Sequence, residues 1–189
     1  MLVAVDIGNT NIVLGFLDGS RIVATHRIST RTPRTADEYG LLLTQLLALH
    51  DLSADDVEDV IVSSVVPTVM HSFRGGIITY LRVEPMVVGP GIRSGLRIGI
   101  EDPKTLGADC LCDCAGAFYL YGGPVLVADF GTATTFNYVD ASGTITCGLI
   151  TTGIRTGASA LWDSAAQLPE VEITRPTTIL ARDTRTAMQ

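Results

Sequence analysis

Residues 3–11 read Val-Ala-Val-Asp-Ile-Gly-Asn-Thr-Asn, and residues 125–135 read Val-Leu-Val-Ala-Asp-Phe-Gly-Thr-Ala-Thr-Thr. Each is a short apolar run closed by Asp-x-Gly and then by hydroxyl or amide side chains. A run of that length predicts a buried strand. Glycine after it lets the backbone turn tightly and bring its N–H groups close to a ligand. Aspartate at the strand end supplies a fixed negative charge suited to holding a cation beside phosphate. One such segment says little more than strand and turn, because short motifs recur by chance. Two, alike in order and chemistry, predict two related half-domains facing one nucleotide.

Outward from the first copy, residues 2–7 read as a strand, Asn9-Thr10-Asn11 as a turn and Ile12–Leu17 as the returning strand. Asp18-Gly19 is a hairpin signal, and Arg21–Ser29 gives a third strand. Successive hairpins imply antiparallel pairing, unlike the strand–loop–helix start of a dinucleotide-binding unit. Thr35-Ala36-Asp37-Glu38 opens a helix to about His50, with Leu41, Leu42, Leu46 and Leu49 as its expected buried stripe. Ser53–Asp55 caps a short helical turn. Val60–Val66 is a β-branched strand ended by Pro67, which suits the start of a helix reaching about Tyr80. Glu84–Val88 reads as a short strand, 89–91 as a Gly-Pro-Gly turn and 92–106 as loop. Gly107-Ala108-Asp109 leads into a helix through Tyr121, and Gly122-Gly123-Pro124 punctuates. Beyond it come strands at 125–129, 133–139 and 144–150, a helix at 157–168 with Trp162 in the core or at a subunit contact, and a tail at 169–189. The expected division is therefore 1–122 and 123–189.

Of the 189 residues 47% are apolar and 17% charged, which is enough for a substantial core and argues against a disordered chain. Net charge is −7 and no basic run appears, so a nucleic-acid surface is not expected; a locally basic pocket in an acidic protein is. No stretch approaches the ~18 apolar residues of a membrane span. The start lacks the basic and apolar regions of a secretion signal, which points to the cytoplasm. Cys110, Cys112 and Cys114 alternate and Cys147 stands apart; neither arrangement matches common zinc spacings, so buried apolar thiols are expected. His26, His50 and His71 lie far from them in sequence and show no ligand spacing.

The duplicated Asp-x-Gly layout resembles the actin-like ATPase and sugar-kinase superfamily, in which hairpins from two domains grip the phosphates of ATP. Further segments narrow this. Asp6-Ile7-Gly8-Asn9-Thr10-Asn11, Thr35-Ala36-Asp37-Glu38-Tyr39, Ser63-Ser64-Val65-Val66-Pro67, Gly107-Ala108-Asp109 and Asp129-Phe130-Gly131-Thr132-Ala133-Thr134-Thr135 together look like type III pantothenate kinase, in order and along the whole chain. The resemblance implies an α/β fold of two ribonuclease-H-like half-domains with mixed sheets flanked by helices. It implies ATP-dependent phosphorylation of pantothenate, the first step of coenzyme A synthesis, with Mg²⁺ and a monovalent cation (K⁺ or NH₄⁺), by a homodimer. Asp6, Ile7, Gly8, Asn9, Thr10 and Asn11 would line the phosphate path and Thr132 would contact ATP. Gly107, Ala108, Asp109 and Cys110 would sit beside pantothenate, with Thr184 reaching it from the tail. Asp109 would accept the hydroxyl proton, and Asp129 would bind the monovalent cation. A carboxylate at a helix start is favoured in its charged form by the helix dipole, which suits a base. By itself Asp109 reads as a helix cap, and Asp6 and Asp129 as turn carboxylates.

The chain departs from the family pattern near the substrate. Arginine normally follows Gly-Ala-Asp; here it is Cys110, which cannot pair bidentately with a carboxylate. Such a loss costs on the order of 2–3 kcal/mol. Ile100 replaces a usual tyrosine, Cys147–Ile154 departs from a Gly-Gly-x-Ile-x-Pro-Gly-Ile segment, and Gly157 replaces a serine. Family members usually run well beyond residue 189, so the second half-domain is expected to be incomplete, with an open sheet edge and an exposed apolar face. The phosphate motifs are intact. Two readings follow: a kinase weakened by Cys110, Ile100 and its short C-terminus, or an inactive relative serving as a nucleotide-binding or regulatory accessory protein. A kinase for another hydroxyl compound is the third.

Overall fold

Alternation of apolar side chains builds the first sheet. In the computed structural model, which describes residues 1–176 and 178–189, β1 (Leu2–Ile7) buries Val3, Val5 and Ile7, and β2 (Asn11–Asp18) buries Ile12, Leu14 and Phe16. The intervening side chains, Ala4 and Asp6 among them, face a cleft instead. β3 (Arg21–Ser29) extends the antiparallel meander, while β4 (Asp59–Ser64) joins β1 in parallel and β5 (Met86–Val87) joins β4. The order is β3-β2-β1-β4-β5, a mixed sheet whose antiparallel part follows the hairpin signals.

Two helices cover its buried face. Thr35 caps α1 (Ala36–Ala48) through a reciprocal pair: Glu38 N–H donates to Thr35 Oγ1 at 3.3 Å, and Thr35 N–H to Glu38 Oε2 at 2.7 Å. The stripe that α1 buries is Tyr39, Gly40, Leu43 and Leu47; of the expected leucines Leu46 packs partly buried against the core and Leu42 is half-buried, while Leu41 and Leu49 are exposed. Leucines occupy both faces, so phase is set by packing. α2 (Pro67–Gly76), begun by proline as expected and continued by a widened turn over Ile77–Leu81, meets α1 through paired glycines. A Cβ on Gly76 would lie 2.6 Å from the Ala36 carbonyl oxygen. The Tyr39 and Phe73 rings meet at a tilt, their centroids 4.9 Å apart, beside this crossing.

The second sheet has the order β6-β9-β8-β7. β7 (Val125–Phe130), β8 (Ala133–Val139) and β9 (Thr144–Thr152) form a meander like β1-β2-β3. β6 (Arg97–Ile98) lies inside the expected loop 92–106 and pairs in parallel with β9. Two residues are too few for a periodic signal. α3 (Ala108–Tyr121) packs against β4, β7 and β8, so it touches both sheets, and its Leu111 and Cys114 form a second core with Val88, Val139 and Ile145. This core draws on residues either side of 122.

α4 (Ile154–Ser164) starts three residues before the expected 157 and ends at Ser164 rather than 168. Its cap, Gly153, donates to Thr132 O at 3.1 Å, so the end of β9 launches the helix directly. Trp162 is half-buried and lines the cleft instead of a core. Within the tail, α5 (Thr184–Met188) is capped by Asp183; Thr177 lies outside the described residues. Among the described residues β7 is paired on one side only, and Leu126, Phe130 and Leu149 of the second sheet are 63%, 67% and 57% exposed. The second sheet thus has the expected open edge and bare apolar face.

Candidate active site

Each Asp-x-Gly turn is closed by a backbone bond from its glycine. Gly8 N–H donates to Asn11 O at 3.0 Å, and Gly131 N–H to Ala133 O at 2.9 Å. A threonine from a later element braces each: Thr30 Oγ1 donates to Gly8 O at 2.7 Å, and Thr156 Oγ1 to Thr132 O at 2.8 Å. The tips touch, with Thr10 Oγ1 and Thr132 Oγ1 2.9 Å apart although 122 residues separate them. The turns thus close one end of a single cleft of ≈ 1190 Å³ between the sheets.

Of the residues singled out in the sequence, Asp6, Gly8, Asn9, Thr10, Asn11, Asp109, Asp129 and Thr132 line this cleft. Ile7 is fully buried in the first core, so it meets the turn only through its backbone. Gly107 and Ala108 line an adjoining cavity of ≈ 330 Å³. Cys110 lines neither; it is half-buried behind Asp109, its Sγ 3.9 Å from Thr135 Oγ1. Ile100 and Thr184 also line neither, and Thr184 sits exposed on α5.

Asp109 lies in the first turn of α3, whose cap is Gly107 rather than Asp109 itself. Its Oδ1 accepts the Cys110 N–H at 2.7 Å. The Cys110 thiol also lies beside this carboxylate.

A fourth carboxylate, Asp113, shares the cleft and was not singled out from sequence. Its signal was legible: it follows Asp109 by one helical turn, on the same face. Burial, then the charges of Asp129, Asp109 and Asp6, push it from 3.8 to about 6. Asp6 is also held above its ordinary value, by burial first and by Asp109 and Asp129, against a lowering influence of the neighbouring Ser63 hydroxyl. Burial raises the Cys110 thiol, with Asp109 adding to it, so this cysteine is a poor nucleophile. Arg27, Arg31 and Arg155 supply the cleft's positive charge, the local basic lining expected in an acidic chain.

Among the described residues no three His, Cys, Asp or Glu side chains converge enough to hold a metal unaided. Ser63, opposite Asp6 in the β1–β4 register, adds a buried Oγ in the cleft wall with no hydrogen-bond partner of good geometry. The cysteines are free, and on a helix the three alternating ones fan out: Cys114 in the second core, Cys110 half-buried, Cys112 open to the cleft. The histidines hold a surprise, since His26 and His50 meet Nε2 to Nε2 at 2.9 Å beside Phe16, remote in sequence yet joined where β3 passes the end of α1. Among the described residues no helix is long and apolar enough to cross a membrane.

The family model described as type III pantothenate kinase matches residues 2–189. A type III pantothenate kinase of Bifidobacterium longum subsp. infantis is 70% identical over all of this chain and 74% of its own length. That of Bifidobacterium adolescentis is 63% identical with the same coverage. Among solved structures, a Baf family transcriptional activator from Campylobacter jejuni superposes with TM-score 0.54 at 16% identity, over 98% of this chain and 71% of that one, a likeness of fold.

Proposed function

Because the chain belongs to the type III pantothenate kinase family, which phosphorylates pantothenate in coenzyme A biosynthesis, we propose that its cleft carries out that transfer between the two Asp-x-Gly turns. The observation that carries this reading is the contact of Thr10 with Thr132 at one end of a cleft that also holds Asp109. Backbone N–H groups of Asn9 and Thr10, at the tip of the Gly8–Asn11 turn, and the Thr132 hydroxyl receive the polyphosphate of ATP, helped by the arginines. The substrate oxygen attacks the γ-phosphorus, the bond to the β,γ-bridging oxygen breaks and ADP leaves. The hydroxyl proton passes to Asp109 Oδ2. Asp6 and Asp113 would hold Mg²⁺ together with the phosphates, and the ion supplies charge neutralisation on the transferring group. Asp129 would hold K⁺ or NH₄⁺. Gly107 and Ala108 flank the substrate, with Cys110 behind them, while Thr184, exposed on α5, is given no part in this site.

Residues 1–122 and 123–189 are taken as the two halves of the kinase, sharing α3. The bare apolar face of the second sheet supports association of the chain as a homodimer, working in the cytoplasm. Incubation with ATP and pantothenate, followed by mass spectrometry, tests the reading. It predicts 4′-phosphopantothenate, and a fall of roughly 10²–10⁴ in rate for Asp109→Asn. Absence of product, or full activity of that variant, contradicts it.

A further inference from the structure

The smaller cavity has a composition of its own. Its walls are the Gly89–Gly91 turn and apolar side chains such as Ile98, Leu106 and Leu111. One charged residue, Lys104, lines it. Val65 and Val88 line both this cavity and the cleft, so the two adjoin, and Ala108 on its wall precedes Asp109 in the cleft. A volume of ≈ 330 Å³ falls in the range of small-ligand sites.

Lys104 is held at its backbone and free at its head. It lies in a single helical turn, Pro103–Thr105, where its N–H donates to Asp102 Oδ1 at 3.1 Å and Thr105 Oγ1 donates to Asp102 O at 2.7 Å. Among the described residues its ammonium forms no ion pair or hydrogen bond. An exposed, unpaired cation on the wall of a cavity of mixed polarity suits an elongated hydroxy acid. One end must bring a hydroxyl to Asp109, and the other carries a carboxylate that Cys110 cannot pair with. Pantothenate has this build: hydroxyl at one end, gem-dimethyl and amide between, carboxylate at the other.

We propose that Lys104 receives the pantothenate carboxylate, the substrate lying in the smaller cavity with its hydroxyl end at Asp109. This rests on the kinase reading above. Lysine acts here as a point charge on a flexible stem, in place of a planar bidentate partner.

The experiment compares pantothenate with panthenol, in which the carboxylate is replaced by a hydroxymethyl group. Binding of each is measured by calorimetry with a non-hydrolysable ATP analogue and Mg²⁺ present, and KM and kcat are measured alongside. Lys104→Met, which keeps the stem and removes the charge, is expected to weaken pantothenate binding and raise its KM by about tenfold or more. It should leave kcat and panthenol binding nearly unchanged, and Lys104→Arg should restore most of the loss. Equal pantothenate affinity in wild type and Lys104→Met, or equal losses for both ligands, overturns the assignment while leaving the kinase reading intact. A wild-type chain that binds neither compound sinks the kinase reading and this assignment with it.

Discussion

Replacing Asp113 with asparagine should make the empty protein more stable at alkaline pH and leave it little changed at acidic pH. The carboxyl is raised from 3.8 to about 6, chiefly by burial and then by Asp129, Asp109 and Asp6. A shift of about two units corresponds to roughly 3 kcal/mol at most. Water still reaches Asp113 in the open cleft, and screening cuts the figure to about 1 kcal/mol. The folded state holds the proton more tightly than the unfolded chain does. The stabilisation is therefore complete below pH 3.8 and is lost as pH rises through about 6. Asparagine cannot ionise, so the variant escapes that loss. Urea unfolding in EDTA without nucleotide should show a gain of about 1 kcal/mol at pH 8 that shrinks steadily toward pH 4. With Mg²⁺ and an ATP analogue the order should reverse, the variant gaining less thermal stabilisation from the ligand. A gain of equal size across the pH range, or a loss at pH 8, refutes the reasoning.

Gly76→Ala forces a methyl group against the Ala36 carbonyl, which cannot rotate aside, and should cost about 1–3 kcal/mol; an unchanged urea midpoint contradicts the close α1–α2 crossing. His50→Ala removes the Nε2 contact with His26 and an edge-on contact with Phe16, for a loss of about 1–2 kcal/mol; thermal unfolding checks it, and an unaltered Tm counts against the pair.

The strands and turns of the first sheet were legible because the signals there are strong and local: alternation in β1 and β2, Asp18-Gly19 between strands, Pro67 at a helix start. The duplicated Asp-x-Gly turns were legible for the same reason, and their meeting across the cleft is what duplication implies. What escaped depends on partners distant in the chain. The phase of α1 could not be read from leucines on both faces, since Gly76 and the sheet decide it. β6 exists because β9 offers an edge to two residues. The launch of α4 depends on a bond from Gly153 to Thr132. Asp113 was missed although its spacing from Asp109 was in plain view, because a lone carboxylate on a helix is ordinarily a solvated one. The pairing of His26 with His50 required knowing that β3 runs past the end of α1.

Calorimetric titration with a non-hydrolysable ATP analogue and Mg²⁺, on wild type, Asp6→Asn and Asp129→Asn, tests the two-turn grip most directly. A shared cleft predicts one nucleotide per chain and a loss of about tenfold or more in affinity from either substitution alone. Wild-type affinity retained in either variant, or two independent nucleotides per chain, contradicts it.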